Sequence, residues 1–159
     1  MNGLVFRMFN SLLVIGYYSA DEYWQSLEIA HKAVWYGEST WEWESSQIRS
    51  AIHPMLFAAF YKFLDITGLD WRWLVAYGPR LIMAVFVWLS DEYLYRYTEK
   101  WYGSRMAKVT WVLYLAHWYV FYAMCRTYSN SLEAIFFFIA FYYWSEERYS
   151  LCNVFIGLA

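Results

Sequence analysis

Strong charge of either sign is missing from this sequence: twelve Lys and Arg stand against fourteen Asp and Glu, for a net charge of −2. That excludes a basic field able to gather a polyphosphate, and no interleaving of aromatic and basic residues offers a base-stacking platform, so nucleic acid is not an expected partner. Cysteine is scarce as well. Cys125 and Cys152 stand alone in apolar surroundings, without the CxxC or Cys/His spacing that binds zinc, and are expected to be packing residues. Also missing are a glycine-rich phosphate loop, an Asp-x-Asp metal pair and a nucleophile elbow. His31, His53 and His117 are scattered, and His31 is expected on a helix face rather than at a metal. No metal and no resident cofactor is therefore expected.

What is present is apolar and aromatic. Hydrophobic residues make up 61% of the chain, against roughly 45–50% in soluble globular proteins. Tyr (17) and Trp (11) together far outnumber Phe (12), as expected where rings with one polar edge sit at a headgroup boundary. Residues 109–125 contain no Asp, Glu, Lys or Arg, a run close to the ~20 residues that cross a bilayer core. Other apolar runs are shorter and carry isolated charges, which is costly in hydrocarbon unless the charge faces protein or reaches the interface. The composition predicts an all-α, polytopic membrane protein.

Residues 4–18 read as a first span, about 22 Å of helix against a hydrocarbon core of about 30 Å. Its one charge, Arg7, is expected to snorkel to the cytosolic face. Ser19-Ala20-Asp21-Glu22 has the spacing of a capping box, predicting a helix to about Gly37. Tyr23, Leu27, Ala30 and Val34 would share one face and Gln25, Glu28 and Lys32 the other, as in a helix along a membrane surface. Residues 38–50 are polar and Trp-punctuated, expected as a loop on headgroups. His53-Pro54 opens a second interfacial or re-entrant helix over 55–69, interrupted by Lys62 and Asp65. Further spans are expected over 73–89, with Pro79-Arg80 placing a kink beside a buried cation, and over 106–124 and 132–145, with another beginning at 151–159. The stretch 90–108 holds four basic residues. As a cytosolic connection it would put the loop 21–72 on the luminal side. The abrupt ends predict the N-terminal part of a longer protein.

Two segments carry groups that could do chemistry. Asp21 and Glu22 sit where a span emerges and a surface helix begins, a place for a carboxylate to meet a lipid-borne substrate. The plainer reading is that they complement a helix dipole and a cap. Residues 126–133, Arg-Thr-Tyr-Ser-Asn-Ser-Leu-Glu, are dense in hydrogen-bonding groups. Arg126 could hold a phosphate through its planar fork, or the segment could be a capped helical hairpin in which Glu133 pairs with Arg80 or Arg126. The recurrence of Asp21-Glu22-Tyr23 as Asp91-Glu92-Tyr93 lacks matching flanks and is read as chance.

The string Asp21-Glu22-Tyr23-Trp24-Gln25-Ser26-Leu27-Glu28, with Thr40-Trp41-Glu42-Trp43, Ile48-Arg49-Ser50, Pro79-Arg80-Leu81 and the block from Arg126 to Glu133 in the same order, resembles the mannosyltransferases of glycosylphosphatidylinositol (GPI) assembly. These belong to glycosyltransferase family 22 and have the GT-C membrane fold; the likeness is greatest to members that add the third mannose. Ala20 departs from the family, which usually has Pro before the acidic pair. The resemblance implies a multi-pass endoplasmic-reticulum enzyme with a luminal active site. It would transfer mannose from the lipid-linked donor dolichyl-phosphate mannose to a GPI glycolipid acceptor, in α-1,2 linkage and with inversion. Asp21 is the implied base and Glu22 the runner-up, with Arg126, Trp24, Gln25 and Arg49 implied in substrate binding. A transporter or scramblase, prompted by Asp65, Arg80 and Glu133, and a non-catalytic assembly subunit are the competing readings.

Overall fold

The computed structural model describes residues 3–16, 19–45 and 50–159. Its regular elements are helical: α1 (Gly3–Leu13), a π-helical turn (Tyr23–Leu27) running into α2 (Glu28–Val34), α3 (Trp41–Glu44), α4 (Ile52–Thr67), α5 (Arg72–Ala116), α6 (Trp118–Ala123), α7 (Ser129–Ser145) and α8 (Tyr149–Leu158). The all-α class is as the sequence implies. Among the described residues α5 is the one helix long and apolar enough to cross a membrane.

α5 is not a single rod. Gly103 has φ +81°, a conformation that costs glycine little and a side-chain-bearing residue much, and the chain doubles back there. The polar stretch 90–108, expected as a connection, is therefore helical on both sides of one glycine. Both limbs reach α1: Trp88 and Trp111 close on Gly3, and Arg7 binds Asp91 while lying 5.9 Å from the centre of the Tyr114 ring. The second limb stops at His117, whose backbone is extended, and α6 resumes beyond it. So 106–124 is two helices rather than one.

α7 packs along the first limb through Phe86–Phe136 and through Tyr93–Tyr143, whose hydroxyls lie 2.9 Å apart. α8 folds back on α7, with Phe155 against Phe136 and Tyr143. Lys100 donates to the Ser145 carbonyl and pairs with Glu146 at 3.0 Å, a cation placed at the C-terminal end of α7 where the helix dipole favours it.

Pro79 lies inside α5, where it removes a backbone donor and orphans the carbonyl four residues earlier. That carbonyl, on Val75, accepts the Tyr61 hydroxyl of α4 at 3.2 Å. That bond fastens α4 to α5. α2 and α4 pack on each other through Leu27, Ala30, Phe57, Tyr61 and Leu64, one core continuous with Met83 and Val87 of α5 and Ile135 of α7. Lys62 and Asp65 do not interrupt this core: they pair at 2.7 Å on the outer face, and Asp65 also accepts the Trp35 indole N–H.

Arg7 departs from its expected role. It is fully buried, bound bidentately to Asp91 at 2.7 and 2.8 Å and to Asn10 at 3.3 Å. A carboxylate on α5, packed directly against α1, offers what snorkelling would otherwise have to supply, and the recurrence at Asp91 provides that partner.

Candidate active site

The segment after α1 decides which acidic side chain faces inward. Leu27, Ala30 and Val34 lie on the core side of α2, as their spacing implies, and continued α-helix would put Tyr23 there too. Instead the turn at Tyr23–Leu27 takes in one extra residue, closed by the Glu28 N–H donating to the Tyr23 carbonyl. The inward face moves back one position, so Glu22 and Ser26, each 1% exposed, enter the core while Tyr23 and Trp24 turn outward. Single π-turns of this kind recur at functional sites.

Glu22 meets the turn between α6 and α7. Its Oε2 accepts from Arg126 Nη1 at 3.0 Å and its Oε1 from the Thr127 hydroxyl at 3.5 Å. Arg126 also donates to the Tyr122 carbonyl at 3.1 Å and the Gly16 carbonyl at 3.0 Å, and its guanidinium lies 4.4 Å from the Tyr122 ring centre. Arg80 reaches the same place from α5, donating to the carbonyls of Val14 at 2.9 Å and Gly16 at 2.7 Å. Two arginines therefore converge on the chain just past the C-terminus of α1, where unsatisfied carbonyls concentrate negative potential. Arg126 Nη2 is the one part of this fork with no partner among the described residues.

These contacts revise three expectations. Ser19 accepts the Asp21 N–H at 3.3 Å, but Glu22 does not complete the capping box because Arg126 holds its carboxylate inside the bundle. Glu133 pairs with neither Arg80 nor Arg126, since carbonyls occupy the first and Glu22 and carbonyls the second; it is exposed at the start of α7. The helix begun at Asp21 ends at Val34, short of Gly37.

Asp21 differs from its neighbour. It is half-buried at the same end of the bundle, and its carboxylate makes no hydrogen bond or ion pair with a described residue. Of the other implied substrate residues, Trp24 is 46% exposed, beside Asp21 but turned away from the core. Gln25 is half-buried and lines a cavity of about 290 Å³ together with Trp43, His53, Asn130 and Glu133. Arg49 lies outside the described residues. The structure thus gathers Asp21, Glu22 and Arg126 at one end of the bundle, with Gln25 about one turn further on.

Sequence reasoning passed over His53. It starts α4, is 8% exposed, and its Nδ1 lies 2.8 Å from the Ser26 hydroxyl. Burial lowers its pKa to about 4, so the imidazole is neutral at ordinary pH. The available signal was its place next to Pro54 at a helix start, but its partner became predictable only with the π-turn that brings Ser26 inward.

The model of the Alg9-like mannosyltransferase family matches residues 3–158. A mannosyltransferase of Arabidopsis thaliana is 44% identical over 89% of this chain and 26% of its own length. GPI mannosyltransferase 3 of Schizosaccharomyces pombe is 42% identical over 89% of the chain and 28% of its own length. GPI alpha-1,2-mannosyltransferase 3 of Xenopus laevis is 36% identical over 92% of the chain and 29% of its own length. The chain spans little more than a quarter of the length of these relatives. No solved structure matches it.

Proposed function

The chain belongs to the Alg9-like mannosyltransferase family, and from that premise we propose that it forms the acidic end of the active site in an enzyme that transfers mannose from dolichyl-phosphate mannose to a GPI precursor. The reading extends to the third mannose, in α-1,2 linkage, because relatives of that name match along nine-tenths of the chain. The fold would be a polytopic GT-C bundle in the endoplasmic-reticulum membrane. The end carrying Asp21 would face the lumen and the end carrying Gly103 the cytosol. Supporting this, α5 rises about 34 Å between Arg80 and Gly103, a length that separates those ends by a hydrocarbon core.

The observation that carries the reading is the division of labour between adjacent carboxylates. Glu22 is held by Arg126 and Thr127 and fixes the approach of the chain to the bundle. Asp21, next to it and half-buried, has its carboxylate available. In the proposed step Asp21 takes the proton from the acceptor hydroxyl as that oxygen bonds to the anomeric carbon. The bond from that carbon to the phosphate oxygen breaks, and dolichyl phosphate leaves as an anion. Attack opposite the leaving group inverts the centre. A phosphate departs already stable as an anion, so no strong general acid is needed. Arg126 Nη2, buried and unmatched among the described residues, is the donor that remains for a phosphate oxygen, while the exposed Trp24 flanks the approach.

The experiment expresses the full-length protein in cells unable to add the third GPI mannose. Transfer from dolichyl-phosphate mannose to the dimannosyl precursor in their microsomes, with anchored proteins back at the surface, is the expected result. Transfer to another lipid-linked glycan alone would reassign the acceptor, and no transfer at normal protein level would refute the activity.

A further inference from the structure

The cavity behind the acidic pair is chemically particular. Two polar atoms of side chains that line it, His53 Nε2 and Trp43 Nε1, are buried and lack a partner among the described residues. Leaving such atoms unmatched costs free energy comparable to a lost hydrogen bond, so each calls for a ligand group. His53 is fixed from behind by Ser26. Whichever way the proton lies on the ring, one capacity at Nε2 is left over, a donor in one tautomer and an acceptor in the other. A hydroxyl satisfies either form; a phosphate satisfies only one. Trp43 Nε1 is a donor and needs an acceptor, which a hydroxyl also supplies.

Charge narrows the class further. Glu133 is in the wall, and its carboxylate disfavours an anionic group beside it. Gln25 and Asn130 add amides that both donate and accept, and Trp43 adds an apolar ring edge and face. At about 290 Å³ the space lies at the small end for ligand pockets, which run from about 300 Å³ upward. That is room for one ring rather than an oligosaccharide.

We propose that this cavity is the subsite for a neutral sugar ring of the acceptor, with His53, braced by Ser26, and Trp43 as its hydrogen-bonding residues. The inference rests on the transferase reading above and adds to it where the acceptor glycan sits. Gln25 lies four positions from Asp21 on the same helical segment, so a ring held there is within reach of placing a neighbouring hydroxyl at the acidic pair.

Two measurements on the full-length protein test the subsite separately from the activity. In microsomes, His53→Phe is expected to raise the acceptor KM about tenfold, as for loss of one net hydrogen bond, with the donor KM unchanged. His53→Gln, which keeps a donor and an acceptor, should recover most of that loss, and Trp43→Phe should raise the acceptor KM about three- to tenfold. In detergent, a photoactivatable methyl α-mannoside should label peptides from the cavity wall, with competition by plain methyl α-mannoside. His53→Phe should lose that label while melting at the wild-type temperature; if it does not fold, Trp43→Phe carries both readouts. Wild-type transfer with unchanged acceptor KM in the variants and labelling elsewhere overturns the subsite and leaves the transferase reading standing. Competed labelling at the cavity without any transfer does the reverse.

Discussion

Arg7 and Asp91 meet in the middle of the bundle through two bonds of 2.7 and 2.8 Å, with Asn10 taking a third position on the guanidinium and itself donating to the Phe121 carbonyl at 2.8 Å. Arg126 and Glu22 meet at the end of the bundle through one bond of 3.0 Å, and the rest of that arginine is spread over two carbonyls, a ring face and one unmatched nitrogen. Both pairs are as buried as each other. The first is closed on itself and joins three helices, as a structural pair should. The second is left incomplete beside a half-buried carboxylate. Equal burial hides a difference in purpose, and the count of unspent hydrogen bonds reveals it.

The comparison breaks hardest at the closed pair. Arg7→Met or Asp91→Leu removes one partner of a buried ion pair, which typically costs about 3–5 kcal/mol, and should sharply lower the melting temperature of the solubilised full-length protein. Replacing both, as Arg7→Met with Asp91→Leu, should recover much of the loss. A double variant no more stable than the singles would show that the pair is not acting as a unit.

Glu22→Gln should act on stability less than Arg7→Met does, about 1–3 kcal/mol, because the amide still accepts from Arg126 although the charge is gone. Thermal denaturation of the two variants side by side gives the ranking; the reverse order would mean that the end of the bundle, not its middle, carries the fold. Smallest is Ser19→Ala, expected to cost about 0.5–1 kcal/mol for the lost cap on the Asp21 N–H. A much larger shift would mean Ser19 holds more than that one bond.

Much of the architecture was legible because helical periodicity and charge-free runs survive in a single sequence: the start of α4 at His53-Pro54 and the polar hairpin before α7 fall where the residues imply, and the first helix begins where expected but ends at Leu13 rather than at residue 18. What was not legible has two physical sources. A π-turn shifts a helix face by one residue without changing any propensity, so nothing in Tyr23 to Leu27 announces that Glu22 and Ser26 turn inward. Long-range ion pairing is equally silent: Arg7 reads as a snorkelling end charge until Asp91, 84 residues away, is brought beside it. The acidic pair stood out by its place at the end of the first span, family resemblance implied its catalytic role, and only its folded surroundings distinguish one carboxylate from the other.

The central claim is that Glu22 is spent on the fold and Asp21 is left for chemistry. It is tested most directly by measuring mannose transfer and melting temperature together for Asp21→Asn and Glu22→Gln in the full-length protein. Asp21→Asn should cut transfer about 100- to 10,000-fold, the usual range for a lost general base, with an unchanged melting temperature. Glu22→Gln should lower the melting temperature and retain more activity per folded molecule. Near-normal transfer by Asp21→Asn, with Glu22→Gln fully inactive yet as stable as wild type, would contradict the account and move the base one residue along the chain.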